Sequence, residues 1–184
     1  MGVPKPPGDT LAQLASGIEA GVIGGMAMML LLVSGSLLLG HAWVEVPNLL
    51  GSTFYGPRAF RQTAGLATLS GAALHFVITG AVGALFGLVC GRVHERRRLI
   101  LLGLVAGFVW YYLADAVLWS RVNPLVPIYS PQPATLLAHA LFGACLGSMG
   151  RHAARYPSPV QVESPPGPPP VPDGTAEPFK DALE

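Results

Sequence analysis

The run GVIGGMAMMLLLVSGSLLL, Gly21 to Leu39, decides the class of fold. It carries no charge, and together with the residues before it forms an apolar stretch, Leu11 to Gly40, whose only ionisable residue is Glu19. About 20 apolar residues suffice to carry a helix across hydrocarbon, so this stretch reads as a membrane span. The whole chain agrees with it. Of 184 residues, 51% are hydrophobic and 11% charged, and the mean hydropathy is +0.50; a water-soluble domain carries about 25% charged residues. A secretory leader is the competing reading, but the apolar region is too long, the leader holds only Lys5, and no small-residue cleavage site follows.

Working outward, residues 1–10 read as a polar, proline-rich tail. Thr10 and Gln13 have the spacing of a capping box, which predicts a helix starting there. Span one and an outer loop occupy 11–62; Pro47, Gly51, Gly56 and Pro57 read as helix breakers between His41 and Gln62. Residues 63–98 hold span two, Thr63 to Gly91, and the basic run GRVHERRR. Span three, Leu99 to Ser120, and a second proline-broken loop fill 99–133, and 134–155 hold a short span four. The tail 156–184 has nine prolines and an acidic balance, a composition that cannot bury enough apolar surface to fold alone and predicts disorder. A solvated tether and a docking segment through Phe179 and Leu183 are its two readings.

Orientation follows from the basic residues. Lys5, Arg92, Arg96, Arg97, Arg98, Arg151 and Arg155 fall on one side of a four-span topology, and Arg58, Arg61 and Arg121 on the other. The positive-inside rule then puts both termini in the cytoplasm of a multi-pass protein of the inner cell membrane. Arg92, Arg96, Arg97 and Arg98 set this topology and are candidates for contact with anionic lipid headgroups.

Two octapeptides nearly coincide: ALFGLVCG, Ala84 to Gly91, and ALFGACLG, Ala140 to Gly147. GIEAGVI (Gly17 to Ile23) also matches GLVAGFV (Gly103 to Val109), and both proline loops share a V-P-N-L-like start. Matched pieces in one order predict a duplicated two-helix unit. The expected fold is therefore all-α: a polytopic four-helix bundle of two tandem two-helix repeats. Glycines at GxxxG spacing let helix backbones touch in lipid. They line every span: Gly17, Gly21 and Gly25; Gly83, Gly87 and Gly91; Gly103 and Gly107; Gly143 and Gly147. Cys90 and Cys145 read as small packing residues.

The order of a Gly-rich span, a proline loop, and a span carrying a histidine followed by glycine (His75 with Gly80, His139 with Gly143) resembles a loose group of uncharacterised four-span bacterial membrane proteins, over about residues 11 to 155. The resemblance implies the architecture and carries no activity or site residue.

Ionisable side chains within spans are functional candidates by default. Here these are Glu19, His75, Asp115 and His139. Asp115 and His139 fall in the same outer half and are expected to approach each other, with Glu19 a third member of a transport or proton path; the plainer reading has Asp115 at the interface and His139 bonded to a backbone carbonyl. His75 and His139 are also candidates for ligating b-type haem. That depends on register, since aligning the histidines sets them at one height, whereas aligning the octapeptides matches His139 with Gly83 and moves His75 about 12 Å away. The octapeptide alignment is the stronger of the two.

No phosphate loop, HExxH or nucleophile elbow is present, so the chain is not expected to be an enzyme. Near-neutral charge, +1, argues against a nucleic-acid partner. The leading expectation is an accessory or scaffold subunit of a larger membrane complex, with lipids, other membrane subunits or a second copy as partners. A small transporter or proton-coupled channel and a haem protein are the alternatives.

Overall fold

The computed structural model describes residues 7–60 and 63–150, with side chains from Thr10 onward. Lys5, Arg61, Arg151, Arg155 and the acidic tail lie outside the described residues, and so does the expectation of disorder there.

Every element among the described residues is helical. The order is α1 (Pro7–Leu38), α2 (Glu45–Tyr55), a 3-10 turn (Gly56–Phe60), α3 (Leu66–Cys90), α4 (Arg96–Leu113), a π-helical stretch (Ala114–Trp119), α5 (Ser120–Val122), α6 (Leu125–Tyr129) and α7 (Gln132–Leu146). Three stretches are long and apolar enough to cross a membrane: Thr10–Leu38, Leu66–Cys90, and Arg96–Val122, which runs through the π turn. The fourth apolar helix, α7, has 15 residues, about 22 Å of rise, and is shorter than the roughly 30 Å hydrocarbon layer.

Several boundaries differ from those read in the sequence. α1 begins at Pro7, a turn before Thr10, because proline is tolerated in a first helical turn where its missing N–H has no partner to lose. Thr10 is thus inside the helix and not its cap. The segment after span one contains an eleven-residue helix, α2. Pro47 sits in the first turn of α2, where it breaks nothing. Gly51 is interior and lies flat against α3, where a Cβ would run into the Ala67 carbonyl. Only Gly56, at φ +57°, ends the helix. The basic segment is also shorter as a loop, since α4 starts at Arg96 and includes Arg97 and Arg98 in its first turn. Arg98 pairs there with Glu95 at 2.6 Å, and Arg92, Arg96, Arg97 and Arg98 are all exposed. The second proline-rich loop holds the short helix α6, and α7 starts at Gln132 with Pro133 in its first turn.

α1 packs along both α3 and α7, α4 packs along α7, and α3 and α4 barely touch. The α1/α3 contact is made by backbone. A Cβ on Gly17 would collide with the Gly83 carbonyl and Gly87 Cα, and one on Gly21 with the Thr79 carbonyl and Gly83 Cα. The α4/α7 contact repeats this pattern: Gly103 faces the Gly143 carbonyl and Gly147, and Gly107 faces the His139 carbonyl and Gly143 Cα. Gly24 on α1 meets Phe142 and Cys145 on α7. A core of Ala20, Phe86, Ala138, Phe142 and Leu146 fills the seam between these pairs. Elsewhere the long helices turn leucine and valine outward, for example Leu30, Leu69, Val77, Leu101 and Val105, which is the surface a lipid-facing helix presents.

α2 closes one end of the assembly. Asn123, 4% exposed, donates to the Ser52 hydroxyl at 2.8 Å and the Thr53 hydroxyl at 3.1 Å, and its own Oδ1 accepts from Leu125 N–H at 3.3 Å. On the other flank Thr68 donates to Asn48 Oδ1 at 2.6 Å and accepts the Gly65 N–H at 3.1 Å. Buried polar groups are costly unless paired, so these two asparagines fix α2 across the helix ends.

Candidate functional site

Under α2 lies a cavity of about 90 Å³ walled by α1, α2, α3, α4, the π stretch and α7. Two five-residue turns border it from different helices: His75–Thr79 on α3 and Thr135–His139 on α7. The sequences HFVIT and TLLAH place the same two residue types four apart in opposite order, so on a helix each pair stacks on one face.

The two pairs make the same internal bond. The Thr79 hydroxyl donates to the His75 carbonyl at 3.0 Å, and the His139 Nδ1–H donates to the Thr135 carbonyl at 2.8 Å. A carbonyl only accepts, which assigns a hydrogen to His139 Nδ1. His75, 8% exposed, donates through Nε2 to the Gly25 carbonyl of α1 at 2.9 Å. Each histidine therefore has one ring nitrogen fixed by backbone. The second nitrogens, Nδ1 of His75 and Nε2 of His139, have no partner among the described residues.

α4 and the π stretch contribute Trp110, Tyr111, Asp115 and Trp119 to the wall. The Tyr111 ring lies edge-on to His139 with centroids 5.3 Å apart. Its hydroxyl donates to Gln132 Oε1, and the Gln132 amide points to Asp115 Oδ1 at 3.5 Å. Asp115 sits in the π-helical stretch; such widened turns recur where a helix aims side chains at a site. No lysine or arginine lines the cavity among the described residues. Asp115 is the one carboxylate among the described residues that line it.

Of the residues singled out in the sequence, the structure brings His75, Asp115 and His139 to one cavity. No hydrogen bond joins Asp115 to His139 among the described residues; they are electrostatic neighbours, with Tyr111 and Gln132 beside them. Glu19 is not part of the wall. It lies six residues from Gly25 on α1, about 9 Å along the axis, toward the arginine end. Tyr111, Gln132, Thr79 and Thr135 are not legible as site residues in the sequence, although the mirrored H-x3-T and T-x3-H spacing is a usable signal.

The glycine contacts also set a register that neither sequence alignment offers. Gly83 and Gly143 make equivalent contacts, as do Gly87 and Gly147. The position equivalent to His139 is then Thr79, lying between the two alternatives His75 and Gly83. Haem fits poorly in this arrangement. His75 Nε2 is bonded to Gly25, and 90 Å³ is far below the roughly 300–1,000 Å³ of cavities that enclose larger ligands. Among the described residues no group of three His, Cys, Asp or Glu side chains is placed to hold a metal ion.

Comparison of the chain with protein-family models, with curated proteins and with solved structures finds no match in any of the three.

Proposed function

We propose that this chain is a small membrane transporter or channel of proton-coupled type, with the cavity between the two His/Thr turns as its working site. In this reading the four apolar helices cross the membrane as one bundle of two duplicated hairpins, α1/α3 and α4/α7, with the arginine-rich end in the cytoplasm. The observation that carries it is the convergence of His75, His139 and Asp115, three side chains expensive to place at membrane depth, on one cavity. Histidine is the side chain whose ordinary titration lies nearest physiological pH. Two of them with an unengaged nitrogen, beside a carboxylate, supply acceptors and donors for moving a proton or holding a small polar solute.

The matched glycine contacts of the two hairpins support the duplication. The α7 helix, short of full bilayer thickness, is accommodated by local thinning or by the segment around it. An accessory-subunit role rests on the Gly-lined helices, the aromatic outer loops and the tail, the last of which lies outside the described residues. The exposed apolar faces need only lipid to cover them.

The test is proton flux in vesicles reconstituted with purified protein and a pH-sensitive dye inside. Under an imposed potential the wild type should dissipate the gradient. Asp115→Asn and His139→Ala should fall to the rate of protein-free vesicles while keeping a monodisperse elution profile. Flux unchanged in both variants would remove this cavity from the mechanism.

A further inference from the structure

The cavity has a definite chemical bias. Its polar inventory holds three acceptors without a fixed donor: His75 and His139 each have one nitrogen without a partner among the described residues, which in the neutral ring is a lone pair, and Asp115 contributes carboxylate oxygens, beside the indole N–H groups of Trp110 and Trp119 and the Ser130 hydroxyl as neutral donors. Its threonine hydroxyl hydrogens are already directed elsewhere, Thr79 to the His75 carbonyl and Thr135 to the Pro131 carbonyl at 3.0 Å. Fixed cations are missing from its wall among the described residues. Its aromatic members, Trp110, Trp119 and Tyr111, offer ring faces that attract cations. The space, about 90 Å³, holds a few water-sized groups.

Resting on the transport reading above, we propose that the solute is a small cation bearing N–H donors, that is ammonium or a short primary alkylammonium. The juxtaposition that points to it is two buried imidazoles, each with an unengaged nitrogen, lining one small pocket together with a carboxylate and three aromatic side chains and, among the described residues, no lysine or arginine. Each part of such a cation has a partner here. Its N–H groups meet His75 Nδ1 and His139 Nε2, its charge is balanced by Asp115, and a short alkyl group rests on Met28 or the indoles. A buried cation without such a counter-charge would be strongly unfavourable. Alkali ions of similar charge are served by carbonyl and carboxylate oxygens, and imidazole nitrogens offer them little. The site therefore discriminates by donor chemistry and not by charge alone.

Trp110 and Trp119 are built-in reporters. The full chain, purified in detergent, is titrated with methylammonium chloride and, at matched ionic strength, with potassium chloride while tryptophan emission is followed. A saturable change with methylammonium and a flat response with potassium is expected. Asp115→Asn should weaken apparent affinity at least about tenfold, since hydrogen bonds to a charged group contribute on that scale. The wild-type comparison of the two cations needs no variant to fold. Equal responses to both cations, no saturable response to methylammonium, or an affinity unchanged in Asp115→Asn would each overturn the proposal. The two readings separate cleanly: proton flux that persists in a protein blind to methylammonium removes the substrate assignment and leaves the transport reading in place, whereas loss of both removes both.

Discussion

His139 on α7 occupies the place that Thr79 holds on α3: each donates to the carbonyl four residues before it, and the carbonyl of each lies against a glycine of the neighbouring helix, Gly107 and Gly21 respectively. In one pair the histidine lies a turn before the threonine, and in the other a turn after it. The two imidazoles therefore approach the cavity from staggered heights, one fixed through Nε2 and the other through Nδ1. Two nearly identical backbone seams thus carry a different chemical face, and the site depends on the seams being tight.

That tightness predicts a contrast between glycines. Gly83→Ala and Gly143→Ala each place a methyl group against a carbonyl of the facing helix, Gly17 and Gly103 respectively. Overpacking of this kind costs about 1–3 kcal/mol, more than the gain in helix propensity of up to about 1 kcal/mol. Gly35, on the same helix as Gly17, has open space within 4 Å of the point where a methyl group would sit, so Gly35→Ala should be neutral or slightly stabilising. Thermal unfolding in detergent measures all three; equal behaviour of Gly83→Ala and Gly35→Ala would contradict the backbone contact.

Asn123 should be the anchor of α2. Asn123→Ala removes the donor to the buried Ser52 hydroxyl and the half-buried Thr53 hydroxyl, and the acceptor of the Leu125 N–H, a loss of about 1–3 kcal/mol. Ser120→Ala, an exposed hydroxyl bonded to its own helix, should change stability by less than about 0.5 kcal/mol. Denaturation midpoints compare them, and a silent Asn123→Ala would mean that α2 is held by its apolar face alone.

The proposed crossing of Arg96–Val122 fixes the sides of its two ends. With Cys90 and Cys145 replaced by alanine, single cysteines at the exposed positions Arg97 and Tyr129 are treated with a membrane-impermeant maleimide on intact cells. Tyr129→Cys should label directly and Arg97→Cys only after permeabilisation. Labelling of both from one side would show that this helix does not cross.

How much of this is legible from residues alone depends on the type of signal. The long apolar runs from Leu11, Thr63 and Leu99 are legible because hydrocarbon demands about 20 such residues and little else produces them. α2 is hidden, since Pro47 and Gly51 look like breakers when their partners are unknown. Pro47 in fact occupies a first turn, and Gly51 is small because Ala67 lies against it. The register of the two hairpins is masked for a related reason. Identity between ALFGLVCG and ALFGACLG scores matching letters, whereas packing matches glycines by what they touch, and these differ by one helical turn. Asp115 and His139 can be placed at similar depth by counting, but Tyr111 and Gln132 join them only through the π turn and the start of α7, which no local pattern marks.

The claim beneath all of this is that the two hairpins close on each other and enclose the cavity. Gly24 on α1 and Cys145 on α7 test it, because a Cβ at Gly24 would stand 3.0 Å from Cys145 Cβ, close to the roughly 3.5–4.5 Å typical of a disulfide. In Gly24→Cys with Cys90→Ala, a lipid-soluble oxidant should produce an intramolecular bond between positions 24 and 145, read by mass spectrometry of the cross-linked peptides in monomeric protein. Cross-linking only between chains, or none at all in folded protein, would contradict the closed arrangement.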